Sequence, residues 1–112
     1  MDYSIREARA ADMPQVLQLI QELATFEKEG HAVEVTAEDL VNDGFGDKKL
    51  FHCFVAESHG KTVGMALVYP RYSTWKGPII HLEDLIVTDE MRGSGLGTAL
   101  LNEVVKYGAN LR

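Results

Sequence analysis

The feature that most constrains this chain is a glycine-rich turn between its longest apolar strand candidate and an amphipathic helix. The strand candidate covers residues 79–87, the turn covers residues 92–98, and apolar side chains then recur at helical spacing over residues 96–107. Glycines accept positive φ and let backbone amides approach a ligand closely. The first turn of a helix adds unpaired N–H groups and the positive end of the helix dipole. This order of elements predicts a strand–loop–helix unit that binds an anion such as a pyrophosphate.

Three phosphate-binding patterns compete for this turn. A Walker A loop requires Lys directly after its last glycine, whereas Gly97 is followed by Thr98. A dinucleotide-binding loop requires G-x-G-x-x-G, whereas Gly93, Gly95 and Gly97 are spaced as G-x-G-x-G. The third pattern, Arg/Gln-x-x-Gly-x-Gly/Ala, is matched by Arg92, Gly95 and Gly97. A glycine-rich connection that binds no ligand is the remaining interpretation.

Hydrophobic patterns elsewhere predict three more strands and two more helices. The predicted strands are residues 3–7, 51–57 and 63–69, and the predicted helices are residues 13–28 and a short helix around Leu40 that stops at Gly44. With the strand–loop–helix unit, the order is β-α-α-β-β-β-α. This order predicts an α+β fold, in which helices flank a mixed, mostly antiparallel sheet.

Capping and breaking residues predict where these elements begin and end. The predicted helix caps are Asp12 with Gln15, Thr36 with Asp39, and Gly108. His59-Gly60 is predicted to form the turn of a hairpin, and Pro70 is expected to close its second strand. The residues of the last helix that we expect to face the core are Leu96, Leu100, Leu101, Val104 and Val105.

The composition limits the partners that the chain can bind. Seventeen acidic residues against eleven basic ones give a net charge of −6, so nucleic acid, which needs a basic stripe, is not an expected partner. An acidic protein suits a small cationic ligand better. Cys53 is the only cysteine and the histidines show no ligand spacing, so no metal site is expected. The charged N-terminus and the lack of a long apolar run predict no membrane association and a cytoplasmic location.

Two acidic residues interrupt the longest apolar strand. With a period of two, Glu83 shares a face with His81, Leu85 and Val87, whereas Asp84 lies on the opposite face. A carboxylate on an otherwise buried strand is costly unless it is paired or functional. Glu83 is therefore a candidate general base beside the ligand loop. The alternative is a structural role through hydrogen bonds, to Arg6 or to loop amides, and we prefer that role for Asp84.

Many short segments match, in order, the signatures of one protein family. They are Ile5-Arg6, Ala10-Ala11-Asp12, Leu19-Ile20, Glu22-Leu23-Ala24, Phe26-Glu27, Asp39-Leu40, Asp43-Gly44-Phe45-Gly46, His52-Cys53, Val55-Ala56-Glu57, Tyr72, Trp75, Gly77, Leu82-Glu83-Asp84, Val87, Arg92-Gly93, Gly95 and Gly97. Over essentially its full length, the chain resembles the spermidine/spermine (diamine) N-acetyltransferase family of the GNAT superfamily. The resemblance implies a GNAT fold, acetyl-CoA as the co-substrate and no metal.

The resemblance also implies a reaction and a set of site residues. The reaction is transfer of an acetyl group from acetyl-CoA to a primary amine of a small polyamine, diamine or lysine-like substrate. Glu83 would help to remove the amine's proton, while Phe26 and Glu27 would line the amine side and Glu27 would attract the cation. In the family, position 26 is often Tyr, so Phe26 removes a hydroxyl. The implied cofactor-binding residues are Leu85, Ile86 and Val87 for the pantetheine arm, and Arg92, Gly93, Ser94, Gly95, Leu96, Gly97 and Thr98 for the pyrophosphate.

The family's pattern continues past Arg112 with a further strand, a helix whose Tyr protonates the CoA thiolate, and closing strands. We therefore expect residues 1–112 to be the N-terminal and central part of a single GNAT domain, incomplete at its C-terminus. One alternative is that this fragment is inactive, and another is that it is a non-catalytic module that binds acyl-CoA or a protein partner. The exposed edge of the last strand also predicts a homodimer.

Overall fold

Four antiparallel strands form one sheet, in which they lie side by side in chain order. The computed structural model describes residues 2–111. The strands are β1 (Ser4–Glu7), β2 (His52–Ser58), β3 (Lys61–Ser73) and β4 (Gly77–Val87), and the helices are α1 (Met13–Phe26), α2 (Ala37–Phe45) and α3 (Leu96–Asn110). Short 3-10 turns cover Ala10–Asp12, Gly30–Ala32 and Asp89–Met91. The predicted element order and the α+β class are confirmed.

Helices cover both faces of the sheet because β2 and β3 are apolar on both sides. On the α1 face, α1 and α2 pack on a core that consists of Met13, Val16, Leu19, Leu40, Cys53, Val55, Met65, Leu67 and Ile86. On the α3 face, α3 packs on a second core that consists of Phe54, Ala56, Val63, Ala66, Val68, Met91, Leu96, Leu100 and Val104. Central strands with two buried faces read as continuous apolar runs. Within residues 2–111, no helix is long and apolar enough to cross a membrane.

Of the two predicted N-terminal capping boxes, the one at α2 is confirmed and the one at α1 is wrong. At α2, the Asp39 amide donates to Thr36 Oγ1 at 3.1 Å and the Thr36 amide donates to Asp39 Oδ2 at 2.9 Å. At α1, the Arg6 guanidinium donates to both carboxylate oxygens of Asp12, at 2.8 and 2.9 Å. Gln15 Oε1 accepts from the Thr62 amide at 2.9 Å instead of returning to the cap. A charged donor holds a carboxylate more strongly than a neutral amide does, so tertiary contacts override the local motif.

The second hairpin strand does not end at Pro70 as predicted. The His59-Gly60 turn joins β2 and β3 as expected, but β3 continues to Ser73. β2 begins at His52, opposite Val68, so Pro70 lies in a part of β3 that pairs only with β4. A proline is tolerated where one side of the strand has no neighbour, because its missing N–H costs no ladder hydrogen bond there.

The last helix differs from its prediction at its end and on its face. α3 continues through Gly108 to Asn110, because the Tyr107 ring stacks on the His52 ring and holds the final turns against the sheet. The two ring centroids are 4.2 Å apart. Leu101 and Val105, which were expected in the core, are 42% and 62% exposed. A sheet contacts only a narrow stripe of a helix, so the i, i+4, i+8 set of Leu96, Leu100 and Val104 is buried and its neighbours are not.

Candidate functional site

The loop between β4 and α3 has the backbone conformation that the anion-site prediction requires. Gly93 and Gly95 are left-handed, with φ of +81° and +85°, and Gly95 is the N-cap of α3. A Cβ at either position would meet no atom within 4 Å. Glycine is therefore required there by the backbone conformation and not by crowding. The space beside these two residues is open to a ligand.

The start of α3 supplies backbone donors to this loop. The first hydrogen bond of the helix runs from the Ala99 amide to the Gly95 carbonyl at 3.0 Å. The amides of Gly97 and Thr98 precede it and have no acceptor within the helix. Ser94 has a different role, because its hydroxyl donates to the Met91 carbonyl and accepts from the Leu96 amide. The predicted pyrophosphate loop thus has two available first-turn amides, and Ser94 shapes the turn that presents them.

Arg92 connects this loop to the end of α1. Its Nε lies 3.1 Å from Asp89 Oδ1, and its guanidinium carbon lies 5.9 Å from the centroid of the Phe26 ring. An open cleft of about 310 Å³ separates α1 from the end of β4, and Phe26, Arg92 and Val87 are among its lining residues. The structure therefore brings together Phe26, which was predicted to line the amine side, and Arg92, which was predicted to bind the cofactor.

β4 contains an irregularity that the period-two prediction missed. Leu85 lies opposite Ala66 and Asp84 opposite Leu67, but the next residue of β3, Val68, lies opposite Leu82. Glu83 is thus the extra residue of a β-bulge. The expected face shared by Glu83 and Leu85 is wrong: Leu82 takes that place on the α3 face, because the bulge shifts the alternation by one residue.

The bulge also changes which carboxylate is buried. The Glu83 side chain is 55% exposed, whereas Asp84 is half-buried. Burial raises the pKa of Asp84 above its usual value, and the nearby charges of Glu83 and Glu27 raise it further. The hydrogen bond from Arg6 that was offered as one basis for a structural role of Asp84 is not observed, because the Arg6 guanidinium binds Asp12 and Glu57.

The three carboxylates of Glu27, Glu83 and Asp84 form an acidic group where the end of α1 faces β4. Glu27 is the C-cap residue of α1, so the negative end of the helix dipole lies beside it. Sequence reasoning selected Glu27 and Glu83 but missed Asp84, although the adjacent acids in an apolar run were a usable signal. It placed His81 on the face of Glu83 but gave it no role in the site; His81 Nε2 lies 3.8 Å from Glu83 Oε1.

The predicted pantetheine contacts at Leu85, Ile86 and Val87 lie on the last strand of the sheet. Among residues 2–111, β4 pairs with β3 alone, so the backbone groups along its outer edge have no strand partner. Ile86 packs into the core of the α1 face, and Val87 packs against that of the α3 face. These side chains therefore anchor the strand while its edge stays available. Over the same residues, no three His, Cys, Asp or Glu side chains are grouped closely enough to hold a metal ion.

Sequence comparison places the chain in a family whose cofactor is the ligand class suited to this loop. The sequence model of the family described as "Acetyltransferase (GNAT) family" matches residues 13–112. The chain belongs to the GNAT acetyltransferase family, whose members use acetyl-CoA. The resemblance inferred from the ordered motifs is confirmed.

Two relatives are similar over nearly the whole chain. Spermidine/spermine N(1)-acetyltransferase-like protein 1 of Homo sapiens is 46% identical over 112 residues, which cover 93% of this chain and 16% of that protein. Thialysine N-epsilon-acetyltransferase of Mus musculus is 43% identical over 114 residues, which cover 95% of this chain and 67% of that protein. The chain therefore spans a small part of the human protein and about two thirds of the mouse protein.

A solved structure has the same fold. An acetyltransferase from Trypanosoma brucei superposes with a TM-score of 0.75 at 24% sequence identity, over 97% of this chain and 76% of that chain. At this level of identity the likeness concerns the fold alone, and it agrees with the GNAT-like arrangement of one antiparallel sheet between helices.

Proposed function

We propose that this chain contributes the cofactor-binding and amine-binding parts of an N-acetyltransferase that acts on a primary amine of a small polyamine, diamine or lysine-like molecule. The observation that carries the proposal is that a surface suited to an anion and a surface suited to a cation lie next to each other. An anion-binding loop with left-handed Gly93 and Gly95 ends β4, and the acidic group of Glu27, Glu83 and Asp84 lies on the α1 side of the same strand. One surface suits a pyrophosphate and the other suits an ammonium.

The residues of the loop fit acetyl-CoA. The open space beside Gly93 and Gly95 admits a pyrophosphate, the amides of Gly97 and Thr98 donate to its oxygens, and Arg92 adds a permanent positive charge. The edge of β4 at residues 85–87 offers backbone groups to the pantetheine arm and to the acetyl carbonyl. When bound, acetyl-CoA supplies the activated acetyl group.

The acidic group binds and prepares the amine. Glu27 attracts the cation, and the carboxylates of Glu83 and Asp84 extend the negative charge along β4. This extended charge suits a molecule with more than one positive charge. An ammonium has no free electron pair, so it must lose a proton before it can react. Glu83, exposed at the bulge, accepts this proton, directly or through a water molecule. The names of the two relatives, a thialysine acetyltransferase and a spermidine/spermine acetyltransferase-like protein, support the same class of substrate.

An amine panel tests the reaction. The full-length protein that contains this chain is incubated with acetyl-CoA and with spermidine, putrescine, thialysine or lysine, and acetylated product is measured by mass spectrometry. We expect turnover of at least one of these amines. Turnover of none would reject the substrate class, and acetyl-CoA binding without any transfer would favour a non-catalytic acyl-CoA-binding module.

A charge variant tests the amine side. Glu27→Gln removes one carboxylate from the acidic group, so we expect the KM for the amine to rise by roughly three- to tenfold, given an effect of about 1 kcal/mol for a partly exposed charge pair. The KM for acetyl-CoA should not change. Glu38→Gln, in the first turn of α2, is the matched control because it removes the same charge elsewhere. Equal amine KM values for the two variants would remove Glu27 from the proposal.

We also propose that two copies associate. The exposed apolar side chains of α3, Leu101 and Val105, support this proposal. Sedimentation velocity at increasing protein concentration tests it, and a single monomeric species throughout would reject it.

A further inference from the structure

β4 carries a histidine beside the proposed base. β3 aligns Tyr69 with His81 and Leu67 with Asp84. Because Tyr69 and Leu67 are two residues apart, His81 and Asp84 lie on the same face of the sheet, the α1 face, although they are three residues apart in β4. A regular strand would put them on opposite faces. The extra residue, Glu83, lies between them, and its Oε1 is 3.8 Å from His81 Nε2.

The His81 ring is packed on one side and open on the other. The Tyr69 ring packs against it with centroids 5.1 Å apart, while the His81 side chain stays 35% exposed. The titratable and charged groups around it are Tyr69 and Arg71 on β3, Glu83 and Asp84 on β4, and Glu27 at the end of α1. The Glu83 carboxylate lies 3.8 Å from His81 Nε2. The 3.8 Å separation is longer than a hydrogen bond, so a proton passes from Glu83 to the imidazole through one water molecule or after a small rotation of the exposed Glu83 side chain, and the open side of the ring passes it on to solvent.

We propose that His81 accepts from Glu83 the proton that the amine loses and releases it to solvent, so that Glu83 is ionised again for the next turnover. This inference rests on the proposed function. His81 acts through Glu83 and does not itself touch the substrate, so it is a positioning residue.

The protons and electron pairs balance. The substrate ammonium transfers one proton to the Glu83 carboxylate, and the neutral amine nitrogen then forms the C–N bond to the acetyl carbon. The C–S bond breaks and its electron pair leaves with the sulfur, and the second proton of the nitrogen neutralises the thiolate. His81 Nε2 takes the first proton from the Glu83 carboxylic acid and passes it to water, so each turnover releases one proton.

Two variants separate this role from packing. His81→Phe keeps a ring against Tyr69 but cannot accept a proton, and His81→Ala leaves room for a small base from the buffer. We measure kcat and both KM values from pH 5 to pH 10 with the best amine of the panel. For His81→Phe we expect kcat to fall roughly tenfold, with an unchanged KM for acetyl-CoA. This is less than the roughly 10²- to 10⁴-fold contribution of a direct general acid or base, because His81 acts through Glu83. The shape of the kcat profile with pH should also change, because the proton acceptor is removed.

Chemical rescue and a control complete the test. Added imidazole should restore kcat of His81→Ala at least threefold and leave His81→Phe unchanged. His31→Phe is the matched control, because it removes another His–Glu pair, 3.7 Å from Glu29 Oε2, that is exposed to solvent; its kcat should equal that of the wild type. An unaltered kcat and pH profile in His81→Phe, or an absence of imidazole rescue in folded His81→Ala, would overturn the inference while leaving the acetyltransferase intact. A wild-type protein that acetylates no amine would overturn the proposed function, and this inference with it.

Discussion

Two glycines with the same backbone conformation allow the cofactor loop to be tested against a matched control. Gly95 in the loop and Gly77 at the start of β4 have φ of +85° and +81°, and a Cβ at either position meets no atom within 4 Å. Alanine at a left-handed position costs about 1–2 kcal/mol of folding free energy. For a chain of this length, that corresponds to a drop in Tm of roughly 4–8 °C. Gly95→Ala and Gly77→Ala should therefore be destabilised to a similar extent.

Their affinities for acetyl-CoA should differ. In Gly95→Ala the new methyl group occupies the open space beside the first turn of α3, and the strain shifts the amides that follow it. We expect Kd to rise at least tenfold, which is about 1.4 kcal/mol of binding free energy. Gly77→Ala lies in the β3–β4 turn and should bind as the wild type does. Isothermal titration calorimetry gives both Kd values, and circular dichroism gives both Tm values. Equal Kd values in the two variants would refute the assignment of the loop.

Three further predictions concern the packing around the site. Asp12→Asn should lower the free energy of unfolding by about 1.5–3 kcal/mol at pH 7, because it removes a charged hydrogen-bond partner of Arg6. The Arg6 hydrogen bonds lower the pKa of Asp12 in the folded chain. The stabilisation by the Asp12 carboxylate is therefore complete above the pKa of an unfolded Asp, about 3.9, and is lost as the pH falls toward the lower pKa of the folded state. Urea unfolding of the wild type and of Asp12→Asn at pH 7 and pH 3 measures this change, and an equal loss of unfolding free energy at both pH values would contradict it. Leu100→Ala should cost about 2–5 kcal/mol and Leu101→Ala less than about 1 kcal/mol in urea unfolding, because only Leu100 is fully buried; similar losses would contradict the helix face. Burial raises the pKa of Cys53 to about 12, so its thiol should react with a disulfide reagent at pH 8 only when urea unfolds the chain, and rapid reaction of the folded chain would contradict its placement.

Local motifs accounted for much of the architecture and for one half of the site. The Thr36–Asp39 capping box, the His59-Gly60 turn and the left-handed loop glycines involve residues within a few positions of one another. Their geometry follows from backbone preferences that neighbouring residues already define. The same reasoning identified the loop and its arginine, and the ordered motifs identified the family.

The start of α1 depends on contacts that the capping motif does not include. The Asp12 carboxylate does not cap α1 because it accepts from the Arg6 guanidinium, six positions away, and from the Arg9 amide; Gln15 does not complete the cap because it accepts from the Thr62 amide, 47 positions away. No local pattern reports the Gln15 contact, since the fold alone brings Thr62 close to it. A charged or well-placed distant donor then outweighs a weak local motif.

The strand that carries the acids shows the division most clearly. The order of its residues was enough to predict a strand, to mark its carboxylates as costly and to place a glycine loop after it. The bulge at Glu83 arises from the register with β3, and a register is a property of two strands. Because of the bulge, Glu83 is exposed, Asp84 is half-buried, and His81 lies on the same face of the sheet as Asp84. The residue types thus determine the chemistry that is available to this chain, and the pairing of β3 with β4 determines the face on which each group acts.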